Sequence, residues 1–244
     1  NENEEILICM EIIRYVALAA YFLEPNLVPL LIFKLFRLTL QYGLTPNSPF
    51  VFVVFGYINI AFMGKMEKGL EIGQLGLRIS EILNNEEQIA PLRMNYHVFI
   101  SHWLMHLRNT IPDLEYGFKK GLETGDFEFN SINGLLIIYN YFFSGEPIDK
   151  VLKRGELLSK QVAPLNQIMQ IERIKLFRQT ALSLVVGVKD FNKIAGEVLN
   201  EDTIAFPNEP SFGSYYENVF ELKKFLALVF NQNEIAWDHL VRQK

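Results

Sequence analysis

The segment His102-Trp103-Leu104-Met105-His106 holds the strongest candidates for chemistry in this sequence. Histidines at i and i+4 share a helix face and could chelate a metal ion. A metalloprotease helix also needs an acidic residue between them, as in HExxH, and none lies there. The remaining histidines, His97 and His239, do not stand at a ligand spacing. The expectation is no metal and no cofactor, with the pair lining a core or a groove. Other chemical motifs are missing as well. Gly64-Lys65 is followed by Met66, without the spacing or the Ser/Thr of a phosphate loop. Asp126-Phe127 and Asp190-Phe191 are not followed by the glycine of the kinase magnesium motif, and there is no GxSxG. The single cysteine, Cys9, allows neither an internal disulfide nor a CxxC metal site. The segment is therefore expected not to be an enzyme.

Composition narrows the partners. Half the residues are hydrophobic and 21% are charged, which excludes a disordered chain. A net charge of −5 disfavours double-stranded nucleic acid, whose binding rests on phosphate neutralisation. A membrane span needs about 20 mostly apolar residues. The stretches Tyr15 to Leu23, Phe50 to Gly64 and Leu135 to Phe143 are shorter, and all three read as buried helices. A reducing cytoplasm fits the lone cysteine. The opening Asn-Glu-Asn-Glu-Glu has no initiator Met and no basic n-region, and reads as part of something longer.

Helical periodicity dominates the elements that must position these residues. Turn residues and caps divide the chain into helices over about 4–23, 26–43, 49–63, 65–83, 89–107 and 110–124, then 126–144 and others to the end. Ser48-Pro49 reads as a cap followed by proline at the first helical position. Alternate helices start near 50, 90, 126 and 165, about 36–40 residues apart, as in stacked helix–turn–helix repeats. The fold expected is all-α: antiparallel helical hairpins stacked as a tetratricopeptide-like α-solenoid. Residues 1–244 are expected to form a single helical-repeat domain, most irregular over 200–213, where Pro207 and Pro210 lie.

The best local repeat is glycine-based. Gly64 is followed by Gly69 and Gly76 at tetratricopeptide offsets, with Gly73 between them. Each glycine inside a helix costs roughly 0.5–1 kcal/mol relative to alanine, so close approach of a neighbour, expected to be the third helix, must compensate. Gly117 and Gly121 form a similar seam. Glu67, Glu71 and Arg78 read as the polar face opposite. Position eight of the unit falls on Tyr57, where a small residue is usual.

Several strings resemble the helical-repeat region of large bacterial hybrid signalling kinases. These are Gly56-Tyr57 through Gly64, Glu67-Lys68-Gly69-Leu70-Glu71-Ile72-Gly73-Gln74-Leu75-Gly76-Leu77, and His102-Trp103 with His106-Leu107-Arg108. Others are Gly117 with Gly121-Leu122-Glu123-Thr124-Gly125-Asp126-Phe127-Glu128-Phe129, Tyr141-Phe142-Phe143-Ser144-Gly145 and Glu197-Val198-Leu199-Asn200-Glu201. In that family a Ser/Thr kinase-like domain and a nucleotide-switch ATPase precede the helical region, and a GAF sensor and a histidine kinase follow it. The resemblance implies a scaffold that couples the ATPase switch to the sensor and histidine kinase, through protein or interdomain docking. The alternative is a small-molecule sensor that closes the same groove over an apolar ligand. Applying the repeat offsets, the groove would show Ile58, Phe62, Asn95, Phe99, His102, His106, Leu135, Tyr139 and Phe142.

Overall fold

The computed structural model describes residues 4–204 and 213–242, and these are helical almost throughout. Eleven α-helices follow one another among the described residues. They are α1 (Glu4–Leu23), α2 (Leu27–Tyr42), α3 (Ser48–Ala61), α4 (Met66–Ile82), α5 (Ile89–Phe99), α6 (Leu107–Thr124), α7 (Phe127–Phe143), α8 (Ile148–Val162), α9 (Ile168–Val186), α10 (Gly213–Val229) and α11 (Asn233–Arg242). The only pairing of extended backbone among these residues is an isolated bridge between Ala195 and Asn200. No helix there is long and apolar enough to cross a membrane. Pro207 and Pro210, in the irregular stretch expected over 200–213, lie outside the described residues.

The chain divides into two compact units, residues 1–133 and 134–244. In the first, α1 pairs with α2, α3 with α4 and α5 with α6. In the second, α8 pairs with α9 and α10 with α11, and α9 also meets α10. The punctuation read from sequence explains most boundaries. Gly43, Gly125 and Gly187 follow α2, α6 and α9 at positive φ, a region that an L side chain rarely adopts. Asp126 caps α7 through its Oδ1, which accepts the Phe129 N–H at 3.1 Å.

Several expectations need correction. Ser48 does not cap α3: its hydroxyl turns back to accept the Thr45 N–H at 2.8 Å, and Asn47 takes the cap position. The helix expected over 89–107 ends at Phe99 and gives way to a 3₁₀ turn at Ser101–Trp103. Between α9 and the end of the first described stretch the chain runs as a loop with one 3₁₀ turn, Glu201–Thr203. Tyr15 to Leu23 is not a buried helix segment. Ala17 and Ala20 pack inward, while Tyr15, Val16, Leu18, Tyr21 and Leu23 are exposed.

The closest packing in the first unit lies between α3 and α4. A β-carbon added at Gly56 would lie 2.6 Å from the Gly69 carbonyl oxygen and 2.9 Å from the Gly73 nitrogen, both backbone atoms. One added at Gly76 would lie 2.8 Å from the Pro49 oxygen. Gly69 meets the Gly56 oxygen and the Ile60 side chain in the same way. The small residue on α3 is thus Gly56, one position before Tyr57. Gly73 departs from expectation in part. Its backbone nitrogen approaches Gly56, but its missing side chain makes room for Ile100 and Tyr96 of the following segment, not for α3. Gly117 and Gly121 make the same kind of room for Asn133 and Asn130 of α7. Opposite the seam, Glu67, Glu71 and Arg78 are exposed as read.

These contacts rank the glycines by what surrounds them. Gly56→Ala must push two backbones apart, and overpacking of this kind costs typically about 1–3 kcal/mol. Gly73→Ala meets side-chain atoms of Ile100 and Tyr96 and no backbone, so the smaller shift it needs is set against up to about 1 kcal/mol of helix propensity. Thermal unfolding should show Gly56→Ala melting well below the parent chain, with Gly73→Ala close to it. Equal melting temperatures for Gly56→Ala and the parent would exclude the backbone contact.

Candidate docking surface

α4, α5 and α6 meet around a polar chain that no local motif announces. Arg93 and His97 lie one turn apart on α5 and are both buried. The Arg93 guanidinium donates to Glu81 of α4 at 2.8 Å and to Asp113 of α6 at 3.0 Å. The Asp113 Oδ2 also stands 2.7 Å from His97 Nε2, and His97 Nδ1 stands 2.7 Å from the Ser101 hydroxyl. An ionised carboxylate only accepts, so Nε2 carries the proton toward Asp113, and a neutral ring then accepts from Ser101 at Nδ1. Burial raises the Asp113 carboxyl, but the His97 hydrogen bond and the Arg93 charge together outweigh it. The net pKa is below the usual aspartate range.

Ser, His and Asp in one hydrogen-bonded chain evoke a nucleophile and its base. Ser101 is 0% exposed, however, so no substrate reaches its hydroxyl. What the chain does is hold a surface. Ser101 begins the 3₁₀ turn that follows α5, and the next residues, Trp103 and Leu104, are 56% and 45% exposed. The turn closes with Leu104 N–H and Met105 N–H donating to the Ser101 oxygen at 3.0 and 2.8 Å. A large indole thus projects from backbone anchored at a buried polar site.

His102 and His106 do not share a helix face, which corrects the reading of them as an i, i+4 pair. His102 lies in the 3₁₀ turn, with its ring 4.7 Å from that of Trp103. Desolvation lowers its pKa below the usual imidazole value, partly opposed by a hydrogen bond that the ring donates to the His97 backbone carbonyl. His106 is the cap of α6, and its Nδ1 accepts the Arg108 N–H at 3.2 Å. The break between them comes at Ile100, where φ −122° and ψ −63° leave the helical region and bury the side chain. Among the described residues no three His, Cys, Asp or Glu side chains gather as metal ligands would.

The other proposed groove residues are spread by environment. In the first unit Ile58 is buried in the cluster that joins α1, α2 and α3. Phe62 is 67% exposed just past the end of α3, with Met63 also exposed beside it. Asn95 returns its amide N–H to Pro91 on its own helix, and Phe99 is half-buried with its ring 5.0 Å from that of Tyr57. In the second unit Leu135 and Phe142 are buried. The Phe142 ring packs against Phe177 and Phe225, and the half-buried Tyr139 ring lies 5.5 Å from that of Phe177. Of the set, Phe62, His102 and His106 are the exposed members.

The second unit has a cleft of about 460 Å³, open to solvent and lined by Ile168, Glu172, Lys175, Val198, Asn200 and Thr203 among others. Its loop is tied down by buried Gln179, whose Oε1 accepts the Val198 and Leu199 N–H groups at 2.9 and 3.4 Å. The pair Glu201–Lys223, at 2.5 Å, fixes the loop to α10. No local signal marks Gln179, Lys223, Arg93 or Asp113 in the sequence, and His97 stands out only as a histidine away from ligand spacing. Their partners are 16 to 22 positions away or on another helix, and no periodic pattern marks them.

A relative shares part of this chain. It is similar, at 24% identity over 155 residues, to hybrid signal transduction histidine kinase G of Dictyostelium discoideum. The match covers 63% of this chain and 4% of the length of that relative. No family model matches the chain, and no solved structure matches it.

The Asp113 geometry has a measurable pH signature. A carboxyl whose folded pKa is depressed stabilises the protein above its unfolded value, about 3.9, and that contribution is lost as pH falls through the lower folded value. Asp113→Asn should cost about 1–3 kcal/mol at neutral pH, because Arg93 and His97 lose their shared acceptor. The difference between Asp113→Asn and the parent should shrink as pH falls below about 4. A difference independent of pH, measured by denaturant unfolding, would show that the carboxylate charge is not what holds these helices.

Proposed function

We propose that this chain is a non-catalytic docking and coupling segment of a signalling kinase, built as a tetratricopeptide-like helical array. The observation that carries the reading is the Trp103–Leu104 turn, an exposed aromatic held by a buried hydrogen-bonded anchor. Tryptophan is enriched among the few residues that dominate binding energy, and rigid backbone lowers the ordering cost of association. Similarity to a hybrid signal transduction histidine kinase supports a signalling context. Within such a protein the segment would transmit the state of a nucleotide-switch ATPase to the sensor and histidine kinase parts, its partners being neighbouring domains of the same polypeptide. Exposed Phe62 is a second contact on this reading. The sensor alternative gains less support, since the cleft over Glu172 and Lys175 opens to solvent and mixes charge with aliphatic side chains.

Titration calorimetry can test this with the chain and separately purified ATPase and sensor segments of its parent kinase. Saturable binding to one of them is expected. Trp103→Ala should weaken it at least about tenfold while leaving the melting temperature of the chain unchanged. No binding to either segment, or binding indifferent to Trp103→Ala, would refute the assignment.

A further inference from the structure

The Trp103 turn carries a titratable ring against its indole. The ring centres of His102 and Trp103 lie 4.7 Å apart, tilted by 41°, and both side chains are exposed. The His102 ring also donates to the His97 backbone carbonyl, which fixes the imidazole beside the indole. α5 and α6 pack against this turn. Arg93, Tyr96 and His97 are the titratable residues of α5. Arg108, Asp113 and Glu115 are those in the first half of α6, and His106 caps that helix. None of them shifts His102 through its charge. Burial holds the His102 pKa below the usual imidazole value, and the His97 carbonyl opposes it. The protonation of this ring is therefore governed by how much water reaches it.

We infer that His102 makes docking at this surface pH-sensitive: the neutral ring permits a partner to cover Trp103, and a proton on the ring opposes it. The inference rests on the reading of the Trp103 turn as a contact. A partner that buries the indole takes the adjoining imidazole out of water as well. Desolvation penalises the imidazolium, so docking lowers the His102 pKa further. By linkage, binding then expels any proton the ring holds. Affinity is complete above the pKa of the free chain and declines as pH falls through it. The proton has a second effect. A cation within about 6 Å of an indole face is attracted to it, and so occupies surface that a partner would use. Asp113 adds nothing to this signal, because its carboxyl lies below the usual aspartate range and stays ionised while His102 titrates.

Two measurements test the inference, one without a partner and one with. Trp237→Phe leaves Trp103 as the sole indole of the chain. A protonated imidazole quenches an adjoining indole, so emission should fall between about pH 8 and about pH 5, with a midpoint below about 6.5. His102→Gln should remove that transition, which separates this ring from His97 and His106. Titration calorimetry with the ATPase and sensor segments then reads the affinity. The dissociation constant should be at least about threefold larger at about pH 5 than at about pH 7.5, and His102→Gln should flatten the dependence. The emission of the chain with His102 in place is a readout that remains if His102→Gln fails to fold. Emission that does not titrate, or that titrates alike in His102→Gln, would overturn the inference. So would binding of equal strength at both pH values, a result that leaves docking at Trp103 standing. Absence of binding at every pH would refute the docking itself, and this inference with it.

Discussion

The contact between the backbones of α3 and α4 at Gly56, Gly69 and Gly73 is the constraint on which the first unit depends. Two helices that approach this closely gain dispersion contacts along their main chains, in an interior as dense as an organic crystal. They also lose the side-chain ridges that would otherwise fix how each faces its other neighbours. Ile100 and Tyr96 reach into the space that Gly73 leaves, so the position of α5 and of the turn after it is set against the same seam. Closeness at one crossing thereby propagates to the next helix.

Polar contacts supply the direction that the glycine seam lacks. Arg93 reaches α4 and α6 at once, and His97 joins Asp113 to Ser101. Such a chain is costly to bury unless each member is satisfied, and here both nitrogens of His97 and two nitrogens of Arg93 have partners. Its geometric consequence is a fixed starting point for the turn bearing Trp103. The helix breaks at Ile100, and the polar chain determines where the backbone goes next. Rigidity of the core and presentation of a surface aromatic are then two results of one arrangement.

Helix existence was legible in the sequence because its signals are local. Gly43, Gly64, Gly125 and Gly145 mark ends, Asp126 marks a start, and helices begin at Ser48, Ile89, Phe127 and Ile168, close to the spacing read from the pattern. The seam glycines on α4 were visible for the same reason. The site was much less so. Ile58, Leu135 and Phe142 lie at plausible inner positions of a generic repeat, but aliphatic and aromatic residues fill cores and grooves alike, and here they are buried. The histidines at 102 and 106 kept their helical spacing in sequence while the chain left the helix between them. That break depends on the Ser101–His97–Asp113 contacts, which join residues that periodicity cannot pair. Gly56 was hidden differently, by a one-residue shift from the position at which a degenerate repeat places its small residue.

Native-state hydrogen exchange tests the central role of the α3–α4 contact most directly. If this crossing is the last part of the first unit to open, the Gly69 and Gly73 amides, on the side facing α3, should exchange only through global unfolding. Their opening free energies should then equal that measured by denaturant, as for the most protected core amides. Exchange of these amides through local opening, well below the global value and no slower than the exposed end of α2, would contradict the account.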